Sequence, residues 1–399
     1  MGFMKGNVYK SGPFAGVALT DAFAEAAQQE SPIIYHVPPI NWPDGLGPAS
    51  TKLGNYAPGT KITSAVKAPA DILIVLYTNE ETMAFLDVWT GNPAWNTSTQ
   101  ADWCPYAHNF ATLKKYISNP NANDTLASGA FGRLSAMKVG SQNVVLYKSE
   151  LHPKQDGVGL PFVRVMKQLI SELKPKVVIT TGTAGAIGNR LECGDVTVCV
   201  SSRLHLQKQY PAFPGLNTMS ANNTALDSSF PNAFDLQYVQ YAATHLTQLS
   251  LPGLAQCYQR LQRLPGYSSV QKSTLSPSIY VANHNPVPGP QPMDIVSADY
   301  MTTDDTSDAE GLQPLGIMND TDDAFLFYAI DQLGASKPLC ISVRNASEPE
   351  VEHAPFPSTT SPTQIIDILK GIAGSIYGIY QYCTTLNSAL ACWGVVAGI

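Results

Sequence analysis

The stretch DILIVLYT, residues 71–78, carries no charged side chain between Asp71 and its end. A strand with one face in water alternates apolar and polar residues, because successive side chains point to opposite faces. A run without alternation needs cover on both faces, as in a sheet with helices on either side. Several other segments repeat this demand: QNVVLYKS (142–149), VVITTG (177–182), DVTVCVSS (195–202) and PLCISVRNAS (338–347). Shorter strands are expected in SIYVANH (278–284) and MDIVSADYM (293–301).

Helices fall between them. NEETMAFLDVWTG starts near Asn79 and stops at Gly91, a residue suited to a helix C-terminus. PFVRVMKQLISELKPK places Phe162, Val165, Met166, Leu169, Ile170 and Leu173 on one side and ends before Pro175. FDLQYVQYAATHLTQL (234–249), DDAFLFYAIDQLG (322–334) and a C-terminal segment from about Thr363 read as further helices. The alternation predicts an α/β fold: a single domain with a twisted mixed β-sheet flanked by helices. Residues 175–202 are expected to supply two neighbouring central strands. Residues 1–68, rich in proline and glycine, read as an extension that wraps the main domain or joins subunits of a homo-oligomer. The domain proper is placed at 69–399, with insertions near 92–130 and 203–272.

Composition narrows the function. The net charge is −7, which disfavours a nucleic-acid partner, since phosphates call for a basic face. A small molecule is the expected partner. Charged residues are 14% of the chain, well under the usual ~25%, so the 30 prolines and 30 glycines read as turns and loops rather than as disorder. Seven cysteines are scattered without a CxxC pair, pointing to free thiols in a reducing, cytoplasmic setting. No signal-peptide core or 18-residue apolar run is evident, so no membrane partner is expected. His205, His284 and His353 are too dispersed for a metal-ligand set, and neither a metal nor a cofactor is expected.

The chemistry points to TTGTAGAIG, residues 180–188. In open α/β sheets ligands bind beyond the carboxyl ends of the strands. Glycine there lets backbone approach a ligand, and threonine adds hydroxyl donors and acceptors. The alternative is an ordinary strand-to-loop turn packed with small residues. The spacing is not GxGxxG, and no P-loop lysine follows.

TGTAGAIGNRLECGDVTV (181–198) resembles the T-G-[ST]-A-G-G…L…G-D-[IV]-V-V signature of the nucleoside phosphorylase and nucleosidase superfamily. That group includes purine nucleoside phosphorylases and 5′-methylthioadenosine/S-adenosylhomocysteine nucleosidases. ILIVLYTNEETMAFL is similar to the opening strand and E-E-E helix start of the nucleosidases. IVSADYM resembles V-S-G-D-x-F, and MNDTDDAFLFYAIDQLGASKPLCISVRNASEP resembles V-E-M-E-A…P-x-x-x-V-R-x-I-S-D. The matching pieces run in the family order from residue 71 to about 349. The resemblance implies cleavage of a purine N-glycosidic bond.

It also implies roles. Glu81, with Glu80 as rival, falls at the glutamate that positions the attacking water. The plainer alternative is an exposed helix-start carboxylate favoured by the dipole. Asp323 falls at the glutamate that grips the ribose hydroxyls, with Asp320 and Asp322 as rivals and an acidic helix cap as the plainer reading. Glu348 falls at the acid that protonates the leaving base at N7, and Asn345 is a candidate for the base edge. Tyr300 matches the aromatic that stacks on the base, with Met301 toward the sugar's 5′ side. Thr183 matches the residue of the G-[ST]-A-G turn beside nucleophile or sugar, and Gly185 follows it in that turn. The hexameric phosphorylases carry an arginine where this chain has Thr180, and a basic loop where it has TNEE. Those departures favour water over phosphate, leaving phosphorolysis and a non-catalytic nucleoside-binding or storage role as alternatives.

Overall fold

The computed structural model describes residues 33–43, 45–53, 59–62, 70–93, 103–121, 123–153, 160–206, 225–261, 276–300, 302–351 and 359–399. Its strands are β1 (Ala49–Thr51), β2 (Ile72–Leu76), β3 (Cys104–Tyr106), β4 (Gly132–Val139), β5 (Gln142–Ser149), β6 (Val177–Ala186) and β7 (Val196–Cys199). They continue with β8 (Ser201–His205), β9 (Ala225–Asp227), β10 (Ile279–Val281), β11 (Ile295–Ala298), β12 (Met318–Asp320) and β13 (Leu339–Glu348). The longer helices are α1 (Asn79–Thr90), α2 (Pro161–Leu173), α3 (Gln237–Leu261), α4 (Asp323–Asp331) and α5 (Pro362–Ala397).

The strands form one mixed sheet whose main path runs β1-β4-β5-β2-β6-β12-β11-β8-β9. β2 lies parallel to both β5 and β6, and β13 lies parallel to β6. β12 pairs antiparallel with the far end of β6, at Gly185 and Ala186. The unalternated run in β2 is satisfied as its pattern demands. Ile72, Ile74 and Leu76 enter one core with Phe85 and Trp89 of α1 and Leu386 and Leu390 of α5. Leu73 and Val75 enter the opposite core with Phe162 and Met166 of α2 and Phe325 of α4. All five β2 residues are fully buried, each adding on the order of 1.5–3 kcal/mol of gross apolar burial.

One expectation is corrected. β6 and β7, the two strands of the 175–202 segment, are not neighbours, because β13 lies between them, parallel to β6 and antiparallel to β7. The loop 187–195 therefore crosses over a third strand, a long-range pairing that local sequence does not encode.

α5 begins with a capping box between Ser361 and Gln364, with Pro362 in its first turn. It continues unbroken to Ala397, and from Tyr380 to Val396 every residue is buried. A helix apolar around most of its circumference belongs inside a core, and Trp89 of α1 donates to the carbonyl of Ala389. Part of the N-terminal region lies across this helix. The Trp42 ring sits 4.7 Å from that of Trp393, the Trp393 indole donates to the Leu46 carbonyl, and the Tyr241 hydroxyl donates to the Asn41 carbonyl. The seven cysteines are free thiols and six of them are buried. Among the described residues no helix is long and apolar enough to cross a membrane.

Candidate active site

The carboxyl ends of β2, β5, β6, β12 and β13 open into a cavity of about 420 Å³, closed on one side by α5. Thr183, Gly185, Glu81 and Glu348 all line it.

Glu81 is buried, not exposed at a helix start. Its Oε2 accepts from the Thr78 amide at 2.9 Å, while the Thr78 hydroxyl accepts from the Glu81 amide at 3.1 Å. That reciprocal pair is the capping box of α1. Its Oε1 accepts from the Thr183 amide at 2.7 Å and the Thr183 hydroxyl at 2.6 Å. One carboxylate thus ties the first turn of α1 to the end of β6. Gly182 makes the approach possible: a Cβ there would stand 2.6 Å from Glu81 Oε1, and its φ of +147° lies in the region glycine tolerates.

Glu348 reaches the cavity through an irregularity in β13. Between Ala346 and Glu348 the register against β6 shifts, bringing Glu348 opposite Gly185. A Cβ on Gly185 would stand 3.3 Å from Glu348 Oε1 and 2.7 Å from Asn319 Oδ1, so this glycine opens room for both side chains. Burial pushes the Glu348 carboxyl up to about 7, opposed by a hydrogen bond that Ser347 donates to Oε2. At neutral pH it is therefore divided between acid and carboxylate.

Beneath the turn lies Arg344, almost fully buried. Its Nη1 donates to the Thr183 carbonyl at 3.1 Å, its Nη2 pairs with Asp320 at 3.0 Å, and Asp323 accepts from Nε at 3.1 Å and also from Nη2. Thr180 and Ser342 add hydroxyl donors to Asp323. These donors hold the Asp323 carboxyl below its usual value against the opposing effect of burial.

Asp323 therefore stands under the site and not in it. It opens α4 with its side chain turned to the sheet, whereas its rivals Asp320 and Asp322 line the cavity. One guanidinium faces three carboxylates, and burial pushes Asp322 up to about 8. Asn345 is also turned away. Successive residues of a strand face opposite sides, and its amide donates to the Gly182 carbonyl and the Ser388 hydroxyl of α5, both at 2.8 Å. Tyr300 does not line the cavity: its hydroxyl donates to Glu310, and its ring lies 5.0 Å from the Lys370 ammonium. Lys370 is the residue that reaches the cavity, with Glu310 3.2 Å from its Nζ. Met301 lies outside the described residues, as does His353. His205 is buried 6.4 Å from the Tyr300 ring, and His284 packs on Phe230 and Phe234. Among the described residues no cluster of His, Cys, Asp or Glu could hold a metal ion.

Among the lining residues, Tyr377, His152 and Asn319 escaped the sequence reading. Tyr377 lines the cavity, and burial pushes its phenol up, with the nearby Glu81 and Glu348 adding to the shift. His152 Nε2 lies 3.5 Å from Asp322. Lys148 is also in the lining, buried against Glu150 at 2.8 Å, and burial lowers its pKa. Asn319 donates to the Thr302 carbonyl at 3.1 Å. A signal existed for Tyr377. Lys370, Ala373, Gly374 and Tyr377 recur at the i, i+3, i+4, i+7 spacing of one helix face, and all four line the cavity.

No protein-family model matches the chain, and no curated protein matches it. Among solved structures, the chain is similar to the futalosine hydrolase of Helicobacter pylori at 12% identity and a TM-score of 0.45, covering 83% of this chain and 99% of that one. It is similar to the 5′-methylthioadenosine/S-adenosylhomocysteine nucleosidase of Neisseria meningitidis, in complex with methylthio-immucillin-A, at 15% identity and a TM-score of 0.40, covering 82% and 100%. For the corresponding nucleosidase of Campylobacter jejuni the values are 12%, 0.41, 83% and 100%.

Proposed function

We propose that this chain is an N-ribosyl hydrolase that releases the free base from purine nucleosides. The observation that carries the reading is the placement of Glu348. A carboxyl poised near neutrality by burial faces the same cavity as the Glu81–Thr183 pair. Cleaving an N-glycosidic bond builds positive charge on the ribose and negative charge on the departing base. Glu348 in its acid form donates to the base, where general acid catalysis contributes about 10²–10⁴-fold. Glu81, held by three donors, receives the attacking water and stabilises the cationic sugar. Asp320 and Asp322, rather than Asp323, take the ribose hydroxyls. Arg344 positions Thr183 and the carboxylates from below.

Water is favoured over phosphate because Glu80, Glu81 and Glu150 line the cavity, and a carboxylate repels a phosphate dianion. Lys148 and Lys370 line it too, which is the observation favouring phosphorolysis, but each is already paired with a glutamate. The test is base release from adenosine, inosine and methylthioadenosine in phosphate-free buffer. Release is expected. Dependence on added phosphate would replace hydrolysis by phosphorolysis, and binding without turnover would make the chain a nucleoside-binding protein.

A further inference from the structure

Asn319 sits at the cavity wall where β12 meets β6, opposite Gly185. It is buried. Its amide nitrogen donates to the Thr302 carbonyl at 3.1 Å. That contact fixes which way the side chain is turned, because the reversed amide would set oxygen against oxygen. The carboxamide oxygen is therefore the atom left over, and among the described residues it has no hydrogen-bond partner. It lies 2.7 Å from where a Cβ on Gly185 would be, and Glu348 Oε1 lies 3.3 Å from that same point. Asn319 Oδ1 and Glu348 Oε1 thus converge on the bare Cα of Gly185. Glu348 Oε2 already accepts from Ser347, so in the acid form Oε1 is placed to carry the proton.

A buried acceptor without a donor is costly, and it is satisfied when a ligand brings an N–H. An acceptor beside a donor reads a ring edge that offers a donor beside an acceptor. In a purine, that edge is the ring nitrogen N7 next to an exocyclic amino group at C6. We propose that Asn319 reads the leaving base through this pairing, so that the site selects 6-aminopurine ribosides over 6-oxopurine ribosides. The inference rests on the reading of the cavity as a purine nucleoside site. A 6-oxo base would set its carbonyl oxygen against Asn319 Oδ1 and leave both acceptors unpaired.

The test separates recognition from turnover. Adenine and hypoxanthine are titrated calorimetrically into the full chain and into Asn319→Leu, and base release from adenosine and inosine is timed in parallel. Adenine is expected to bind at least about 10-fold tighter than hypoxanthine, the range set by one buried unpaired acceptor. Asn319→Leu should bring the two bases to within a few fold. Asn319→Asp retains an acceptor of the same size and should keep the amino preference, which tests the idea even where the leucine variant does not fold. Equal affinity for both bases in the unaltered chain, or undiminished discrimination in Asn319→Leu, would overturn the inference while leaving the hydrolase reading intact. Selective binding of adenine without any base release would uphold Asn319 as a base reader and overturn the hydrolase reading.

Discussion

Replacing Glu348 by glutamine separates proton donation from every other role this residue has. The amide has the size of the carboxyl. Its oxygen still accepts from Ser347, and its nitrogen still donates a hydrogen bond beside Gly185. It cannot transfer a proton. Loss of a general acid lowers turnover by about 10²–10⁴-fold, or roughly 3–5 kcal/mol of barrier. The assay compares base release from a purine nucleoside with cleavage of 4-nitrophenyl riboside, whose leaving group departs without protonation. Glu348→Gln should lose activity by that factor on the purine and far less on the nitrophenyl substrate. The pH profile supplies a second readout. The folded-state pKa is raised from 4.5 to about 7, so the acid form persists up to that pH. kcat/KM on purines should fall as pH rises through about 7, and the variant should lack this limb. The same shift means that the folded chain holds this proton more tightly than the unfolded chain. Stability from this group accordingly declines as pH rises from 4.5 to about 7 and is flat in the variant. Full activity of Glu348→Gln on purines would refute the acid role. Equal loss on both substrates would assign Glu348 to holding the β13 irregularity instead.

Two other substitutions probe the cavity walls. Gly182→Ala places a Cβ 2.6 Å from Glu81 Oε1 at a φ of +147°; it should cost about 1–3 kcal/mol in urea unfolding and reduce turnover by separating Glu81 from Thr183, and unchanged turnover would show that this contact is not used. Gly374→Leu meets nothing within 4 Å at its Cβ and improves helix propensity by about 1 kcal/mol, so the protein should stay folded while the added side chain crowds the cavity and raises KM at least about 10-fold; an unaltered KM would move the substrate away from α5.

Much of this was legible in the sequence because it rests on local patterning. β2, β5, α1 and α2 follow from unbroken apolar runs, from the 3.6-residue period and from the stops at Gly91 and Pro175. Glu81, Thr183, Gly185 and Glu348, which line the cavity, were singled out because two strand ends and one helix start carry them in runs that resemble the family signatures. What escaped depends on side-chain direction. In NDTDDA, residues 319–324, the sequence offers three aspartates without saying which faces the cavity. The choice is made by where α4 begins and by Arg344, which draws Asp323 under the sheet. Asn345 and Glu348 lie three residues apart on β13, and the shift of register at Ala346 decides which one meets the cavity. The position of β13 between β6 and β7 rests on pairings across about 145–160 residues, beyond any local signal. Tyr377 was hidden in a helix whose glycines and apolar residues read only as packing.

The central claim is that water, not phosphate, meets the anomeric carbon. The most direct measurement follows the sugar product by ³¹P and ¹H NMR, with a purine nucleoside as substrate and saturating inorganic phosphate present. The acidic cavity predicts free ribose as the sole sugar product, with the phosphate signal unchanged throughout. Accumulation of ribose 1-phosphate in step with the released base would contradict the account and identify Lys148 and Lys370 as the groups to test for holding the anion.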